Sequence, residues 1–267
     1  KNFVIEEKFG FNKMTISIFI KDKLKSYLLV FFIGGITMFS ILSFFYYFET
    51  YGWLMVWIFL TIFSIIIQPI FIHFIAPMFN KFSPLNDGEL KSAITKYSKK
   101  INFPISRIDV MDGSKRSNHS NAYFTGFGKS KRIALFDTLI NNHSTEEIVS
   151  VVAHEAGHYK KKHIFFGMIL SIIQTGLMLF LFNFIINEVA LYKVFGVSEP
   201  SIYTGLVFFG LLFTPINMIL SLISLSISRK NEFEADQYAL DTTNNPQALI
   251  SMLKGLASDN LSHLTPH

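Results

Sequence analysis

Residues 144–163 read S-T-E-E-I-V-S-V-V-A-H-E-A-G-H-Y-K-K-K-H, and a long apolar run opens directly after them at Ile164. Ser144 with Glu147 three residues later is a capping-box pattern, in which each side chain satisfies a backbone donor left over at a helix start, so a helix is predicted from Thr145. On it His154 and His158 stand one turn apart on one face, where both imidazoles can reach a single metal ion. Glu155 lies beside them, placed to hold and deprotonate a water. Ala156 and Gly157 are small and leave room for a neighbour to approach that face. The alternative is a helix that carries two histidines by chance. A five-residue pattern with three fixed positions recurs at about one in several thousand windows, and the helical context lowers that further.

What surrounds the motif decides which solvent the chain is built for. Half of the 267 residues are hydrophobic, 30 are Phe and only 16% are charged, with a mean hydropathy of +0.38. A soluble globule rarely has that balance. Four apolar runs, residues 26–48, 52–79, 164–187 and 202–227, each reach the roughly 20 residues that a bilayer span needs, and none contains Lys, Arg, Asp or Glu. The second includes Gln68, Pro69, His73 and Pro77, so a kink or an early end is expected there. His73 reads as a packed or interfacial side chain.

Of the 24 Lys and Arg residues, only Lys193 falls in the two short connections at 49–51 and 188–201. With four spans, the three basic segments share one side, and the positive-inside rule makes that side the cytoplasm. The organisation that follows is a cytoplasmic N-terminal segment at 1–25, two membrane helices in 26–79, a cytoplasmic segment at 80–163 carrying the H-E-A-G-H helix, two more membrane helices in 164–227, and a cytoplasmic helix with its continuation at 228–267. The net charge of +5 is accounted for by orientation and attraction to anionic membrane lipid, and no nucleic-acid partner is implied. No cysteine is present, which excludes a disulfide framework and a thiol nucleophile. The first 25 residues do not form a cleavable signal peptide, and Lys1 in place of an initiator Met implies that the sequence begins inside something longer or processed.

Within 80–163, residues 87–100 read as a short basic helix and R-I-D-V-M at 107–111 alternates as a strand does. N-A-Y-F-T-G at 121–126 and R-I-A-L-F-D at 132–137 flank G-F-G-K-S-K, which suits a hairpin turn. The expected fold class is therefore a mostly α-helical multi-pass membrane protein with about four transmembrane helices and a small cytoplasmic α+β domain containing a short antiparallel sheet.

A tetrahedral metal site with one open position needs a third protein ligand. After the fourth span the chain reads S-I-S-R-K-N-E-F-E-A-D-Q-Y-A at 226–239. If the helix continues, Glu232 and Asp236 share a face while Glu234 points elsewhere, as a solvated charge. Glu232 is then the third metal ligand, and Asp236 a carboxylate that orients a histidine N–H. Ala235 and Ala239 flank the same face and allow a close helix crossing. Arg229, one turn before Glu232, is placed to pair with either carboxylate or with substrate. The competing reading is a charged helix end at the membrane surface.

These stretches, together with F-V-I-E-E-K-F-G-F-N-K-M-T at 3–15, S-K-R-S-N-H-S-N-A-Y-F-T-G-F-G-K-S-K-R-I-A-L-F-D-T-L at 114–139 and N-L-S-H-L-T-P-H at 260–267, resemble the CAAX prenyl protease 1 family over nearly the whole chain. The resemblance implies an integral-membrane zinc metalloendopeptidase that removes the last three residues of prenylated CAAX proteins and makes a second, upstream cut in some of them. It implies one zinc ion held by His154, His158 and Glu232, with Glu155 as general base. Asn121, Ala122 and Tyr123 would pair with an extended peptide or protein substrate by strand addition. The family encloses its site in a chamber ringed by seven helices, so further N-terminal helices and a C-terminal portion are expected outside this sequence.

His119, Arg229 or a residue beyond His267 are the candidates to stabilise the oxyanion, and the sequence does not choose among them. His163 falls off the metal face, and Lys160, Lys161 and Lys162 read as headgroup anchors. An HtpX-type quality-control protease shares the four spans and the ligand pattern, although the 6–12 and 120–127 segments favour the prenyl-protease side. A site-2-type intramembrane protease fits poorly, because Asp112-Gly113 precedes the histidines and lies in polar sequence. A non-catalytic metal-binding scaffold or transporter remains the reading from a different class. The membrane, bacterial inner or endoplasmic reticulum, and the oligomeric state are left open.

Overall fold

The computed structural model describes residues 1–48, 50–103, 105–125, 131–199 and 201–261. Among the described residues, four helices are long and apolar enough to cross a membrane, at Ile16–Tyr47, Gly52–Phe79, His163–Ile186 and Ile202–Thr243. The first comprises α1 (Ile16–Leu29), a π-helical turn and α2 (Gly35–Tyr47). The second comprises α3 (Gly52–Ile70), a π-helical turn at Phe71–Ile75 and α4 (Ala76–Phe79). Pro69 neither ends nor breaks this helix. It lacks an N–H and crowds the preceding turn, and the ladder widens to π spacing directly after it. His73 donates from Nδ1 to the Pro69 carbonyl at 2.9 Å.

The chain forms two compact units. One consists of Lys25–Ile67 and His163–Lys230, less the residues not described. It contains α2, most of α3, α8 (His163–Ile186), α9 (Val189–Val194) and the greater part of α10 (Ile202–Thr243). Its core is Phe45, Val56, Leu179, Phe182 and Phe209. Phe182 packs edge-on against Phe45 and Phe209, with ring centroids 5.2 and 5.4 Å away, a favoured aromatic geometry. Trp57 donates its indole N–H to the Ile172 carbonyl at 2.8 Å. Without water in a bilayer to bond it, that N–H needs a protein acceptor.

The second unit comprises the described parts of Lys1–Leu24, Gln68–Lys162 and Asn231–His267. It holds a four-stranded sheet of β1 (Phe82–Pro84), β2 (Ile105–Met111), β3 (Ala122–Thr125) and β4 (Lys131–Phe136), in the order β1-β2-β4-β3. The sheet is mixed, which corrects the expectation of an antiparallel one. β1 with β2 and β3 with β4 are antiparallel, but β2 and β4 run parallel. After β2 the chain first builds β3 on the outside, so that β4 returns between β3 and β2 in the direction of β2. Alternation of apolar residues marks a strand but carries no information on the direction of its partner. The expected turn at 126–130 lies outside the described residues.

One sheet face packs on α5 (Glu89–Lys100) and α7 (Thr145–Lys160), α11 (Pro246–Asp259) packs against α7, and α6 (Asp137–Asn142) follows β4. This core includes Ile94, Tyr97, Ile133, Leu135, Ile148, Val152, Leu249 and Met252. On the other face Asp109 is fully buried between two guanidinium groups, with its Oδ1 2.6 Å from Arg107 Nε and its Oδ2 bonded to Arg132 Nε.

The start of α7 follows the predicted capping box. Ser144 Oγ accepts from the Glu147 N–H, and Glu147 Oε2 accepts from the Ser144 N–H at 2.9 Å. Helix α10 runs without a break from the apolar segment through Thr243, so Glu232 and Asp236 share one helix with the fourth span.

Candidate metal centre

Helix α7 and the C-terminal part of α10, both in the unit that holds the sheet, bring the candidate ligands together. On α7, the one-turn spacing puts His154 and His158 on one side. The C-terminal part of α10 crosses α7 at Gly157, where an added Cβ would lie 3.0 Å from the Ala235 Cα and 3.1 Å from its carbonyl oxygen. Ala235 and Ala239 are both fully buried. The small residues on both helices therefore permit backbone-to-backbone approach, and Glu232 and Asp236 are delivered beside the histidines.

His154 Nε2 lies 3.1 Å from His158 Nε2 and 3.3 Å from Glu232 Oε2, and His158 Nε2 lies 3.6 Å from Glu232 Oε2. Ligands bound tetrahedrally to zinc at about 2.0–2.1 Å stand roughly 3.3 Å from one another. The three atoms thus already form one face of such a tetrahedron, and two imidazole nitrogens with one carboxylate oxygen are a donor set that zinc favours. His154 donates from Nδ1 to Asp236 Oδ1 at 2.8 Å, a tautomer that leaves the Nε2 lone pair facing the shared point.

The electrostatics are strong for so small a cluster. Burial works against a proton on His154 but is outweighed by the Asp236 carboxylate, with Glu155 and Glu232 adding to it, so its pKa stands above the ordinary value. Burial pushes the Glu155 carboxyl up. The His154 ring pulls it back in part, and the Glu232 charge raises it again. A carboxyl of raised pKa beside three candidate metal ligands is suited to take up and release a proton.

Other candidates fall elsewhere. Arg229 is exposed one turn earlier on α10, in the unit that holds the apolar helices. Glu234 is half-buried and engaged in an interaction of its own, so it is not the solvated charge expected of it. His163 starts α8 and is 8% exposed. Lys160 donates to the Asn102 carbonyl at 3.3 Å, while Lys161 and Lys162 are exposed. His119 is committed to Asn260 Oδ1 through Nδ1 at 2.9 Å and stacks on Phe11 with centroids 4.1 Å apart.

Asn121, Ala122 and Tyr123 lie at the start of β3, the outer strand of the sheet beyond β4. Phe136 N–H donates to the Asn121 carbonyl at 3.1 Å. By antiparallel alternation the backbone groups of Ala122 and Phe124 then point away from β4. The Ala122 N–H is met by Asn121 Oδ1 at 2.8 Å. The bracing of this strand from Phe11 and Asn260 has no signature in the sequence, because neither residue is near it in the chain.

The sequence matches Peptidase family M48 over residues 84–265, a span that includes both histidines and Glu232. The chain belongs to this family. Residues 1–81 match a second family, described as the CAAX prenyl protease N-terminal, five membrane helices. This M48 chain is a multi-pass integral membrane protein. It is 41% identical to CAAX prenyl protease 1 of Saccharomyces cerevisiae over 98% of this chain and 62% of that protein. It is 35% identical to the CAAX prenyl protease 1 homolog of Homo sapiens over 97% of this chain and 62% of that one. The crystal structure of S. mikatae Ste24p superposes with a TM-score of 0.91 at 41% identity, covering 100% of this chain and 65% of that one. The chain thus spans about three-fifths of the length of the curated relatives it matches.

Proposed function

We propose that this protein is a zinc-dependent endopeptidase that cuts near the C-terminus of CAAX-type proteins or peptides, prenylated ones included. The observation that carries the reading is the meeting of Glu232 with His154 and His158 around one point, with Glu155 alongside. The names of the relatives supply the substrate class.

In this reading His154, His158 and Glu232 hold the ion, and Asp236 keeps His154 in the tautomer that can do so. When bound there, zinc would supply Lewis acidity, to polarise the scissile carbonyl and to make a water acidic enough to lose a proton near neutral pH. Glu155 takes that proton as the water oxygen bonds to the carbonyl carbon, and hands it to the departing amine nitrogen as the C–N bond breaks, leaving a carboxylic acid and an amine. The substrate lies extended along β3 near Asn121, Ala122 and Tyr123, bonded through its backbone. The distribution of Lys and Arg puts the site on the cytoplasmic side, and the relatives favour the endoplasmic reticulum membrane.

The test is cleavage of a farnesylated CAAX peptide by the full-length protein and by Glu155→Gln, with zinc measured in both. Zinc should stay bound while the variant loses roughly 10²–10⁴-fold in rate. Equal cutting by both removes Glu155 from the chemistry. A wild type that binds zinc and cuts neither this peptide nor an unprenylated one is a metal-binding scaffold.

A further inference from the structure

Helices α5 and α7 end side by side in the unit that holds the sheet. The chain leaves α5 through Asn102, which takes a left-handed conformation with φ of 50°, and then buries Phe103, whose ring packs edge-on against Tyr159 of α7 with centroids 5.2 Å apart. Lys160 donates to the Asn102 carbonyl at 3.3 Å. A core contact and a hydrogen bond therefore join the two helix ends. Lys99 and Lys100 at the end of α5 are brought into the neighbourhood of Lys160, Lys161 and Lys162 at the end of α7, although the two groups are far apart in the chain.

From β4, Lys131 adds a buried ammonium to the same junction, 3.8 Å from the Tyr159 centroid and 4.3 Å from that of Phe103. Among the described residues, none of these lysines forms an ion pair with a carboxylate. The compensation that exists is partial. Lys100 donates to the Thr242 carbonyl at 2.6 Å, the two ring faces attract Lys131, and each helix C-terminus carries about half a negative charge. Lys99, Lys161 and Lys162 are exposed and have no protein acceptor among the described residues. Like charges held together repel one another, and an anion seated among them would relieve that repulsion.

Lys162 is followed directly by His163, the first residue of α8, which is long and apolar enough to cross a membrane. Covalent continuity thus puts this end of α7 at the border of an apolar layer, where lysine side chains reach headgroup phosphates. We propose that the joined ends of α5 and α7 form one binding site for anionic phospholipid headgroups, with Lys99, Lys100, Lys161 and Lys162 supplying the charge. The three lysines before His163 would by themselves be a simple anchor. The second helix makes the site composite, and a lipid that bridges both ends fastens α7, the helix of His154 and His158, to α5. The inference is independent of the chemistry at the metal centre and needs no substrate.

The experiment titrates phosphatidylserine, phosphatidylcholine or soluble glycerophosphoserine into the full-length protein in dodecyl maltoside and follows the unfolding midpoint, with bound lipid counted by native mass spectrometry. Phosphatidylserine should raise the midpoint and stay bound, and the other two should do neither at the same concentration. Lys99→Gln/Lys161→Gln should raise the half-saturating phosphatidylserine concentration about 25-fold, since one lysine near an anionic surface contributes about fivefold. Lys115→Gln/Lys254→Gln removes the same charge from exposed positions on other elements. It should shift that concentration less than about threefold, because salt screens distant charges. Lys99→Arg/Lys161→Arg keeps the charge and should stay within about threefold of wild type. If the double Gln variant does not fold, Lys161→Gln alone carries the fivefold expectation of about one lysine. Equal shifts from the two Gln pairs reduce the effect to net charge and overturn the site. A loss in the Arg pair as large as in the Gln pair overturns it too, since packing and not charge is then responsible. Stabilisation by glycerophosphoserine equal to that by the lipid overturns the lipid assignment in favour of a soluble phosphate ester. A response to phosphatidylcholine as large as that to phosphatidylserine, or none to either, removes the site altogether.

Discussion

Gly157 of α7 lies so close beneath Ala235 of α10 that a Cβ on the glycine would come within 3.0 Å of the Ala235 Cα. The neighbour is backbone, with no rotamer to turn aside, so a larger residue must move the helix itself. α10 carries Glu232 and Asp236, and the crossing therefore sets the distance between the carboxylates and the imidazoles. Gly157→Val should cost about 1–3 kcal/mol of stability by overpacking and weaken zinc binding, with Gly157→Ala intermediate. A competition titration against a chromophoric chelator reads the effect. Wild-type affinity in a folded Gly157→Val protein would show that the crossing does not set the site.

Asp236 acts on the metal through His154. Its Oδ1 holds the Nδ1 proton at 2.8 Å, and without it the ring can turn or take the other tautomer. Asp236→Ala should lower zinc affinity about 10–100-fold, the usual range for losing a carboxylate behind a metal-bound histidine. Glu232→Ala, which removes a direct donor, should lose more. The order of the two losses is the observable, and its reversal would exchange the roles assigned to these carboxylates.

Both helices of the site could be read from local pattern. A capping box and one-turn spacing placed His154 and His158, and four-residue spacing after an apolar run singled out Glu232 and Asp236 over Glu234. Each of those inferences uses residues within one or two turns, where periodicity is informative. What the sequence does not show depends on distant partners. The parallel pairing of β2 with β4, the burial of Asp109 between Arg107 and Arg132, and the convergence of Phe11 and Asn260 on residues 118–120 all join segments far apart in the chain. The π-helical turn after Pro69 is not legible for a different reason. A mid-helix proline signals disruption, but whether the chain stops, kinks or widens its ladder depends on the packing around it.

Asp109 is fully buried and serves two guanidinium groups of unequal exposure, Arg132 at 20% and Arg107 at 51%. Removal of the shared carboxylate leaves Arg132 partly buried beside the Phe82 ring, which its guanidinium carbon faces at 4.7 Å from the centroid. Asp109→Ala should destabilise by about 3–5 kcal/mol, as when one member of a buried ion pair is deleted. Arg107→Ala should cost only about 0–1 kcal/mol, since solvent screens its half-exposed charge. Thermal unfolding midpoints in detergent compare the two. Equal shifts would mean that Asp109 does not depend chiefly on Arg132.

Glu147 couples the start of α7 to α11. Its carboxylate accepts from the Ser251 hydroxyl at 2.5 Å and from the Ser144 N–H at 2.9 Å. The Ser251 bond is the largest influence on its pKa. With the Ser144 bonds and nearby His143 it outweighs a modest burial penalty, and the carboxyl is held below its ordinary 4.5. The folded state therefore binds this proton less readily than the unfolded chain, so the stabilisation is complete above the ordinary glutamate pKa and drains away as pH falls through the lower folded value. Glu147→Gln keeps a side chain that can accept from the Ser144 N–H but cannot titrate. Wild type should be the more stable of the two at neutral pH, and the gap between their unfolding midpoints should narrow steadily as pH drops below the ordinary carboxylate range. Two curves that stay parallel through that range would mean that the charge on Glu147 contributes nothing to holding α7 against α11.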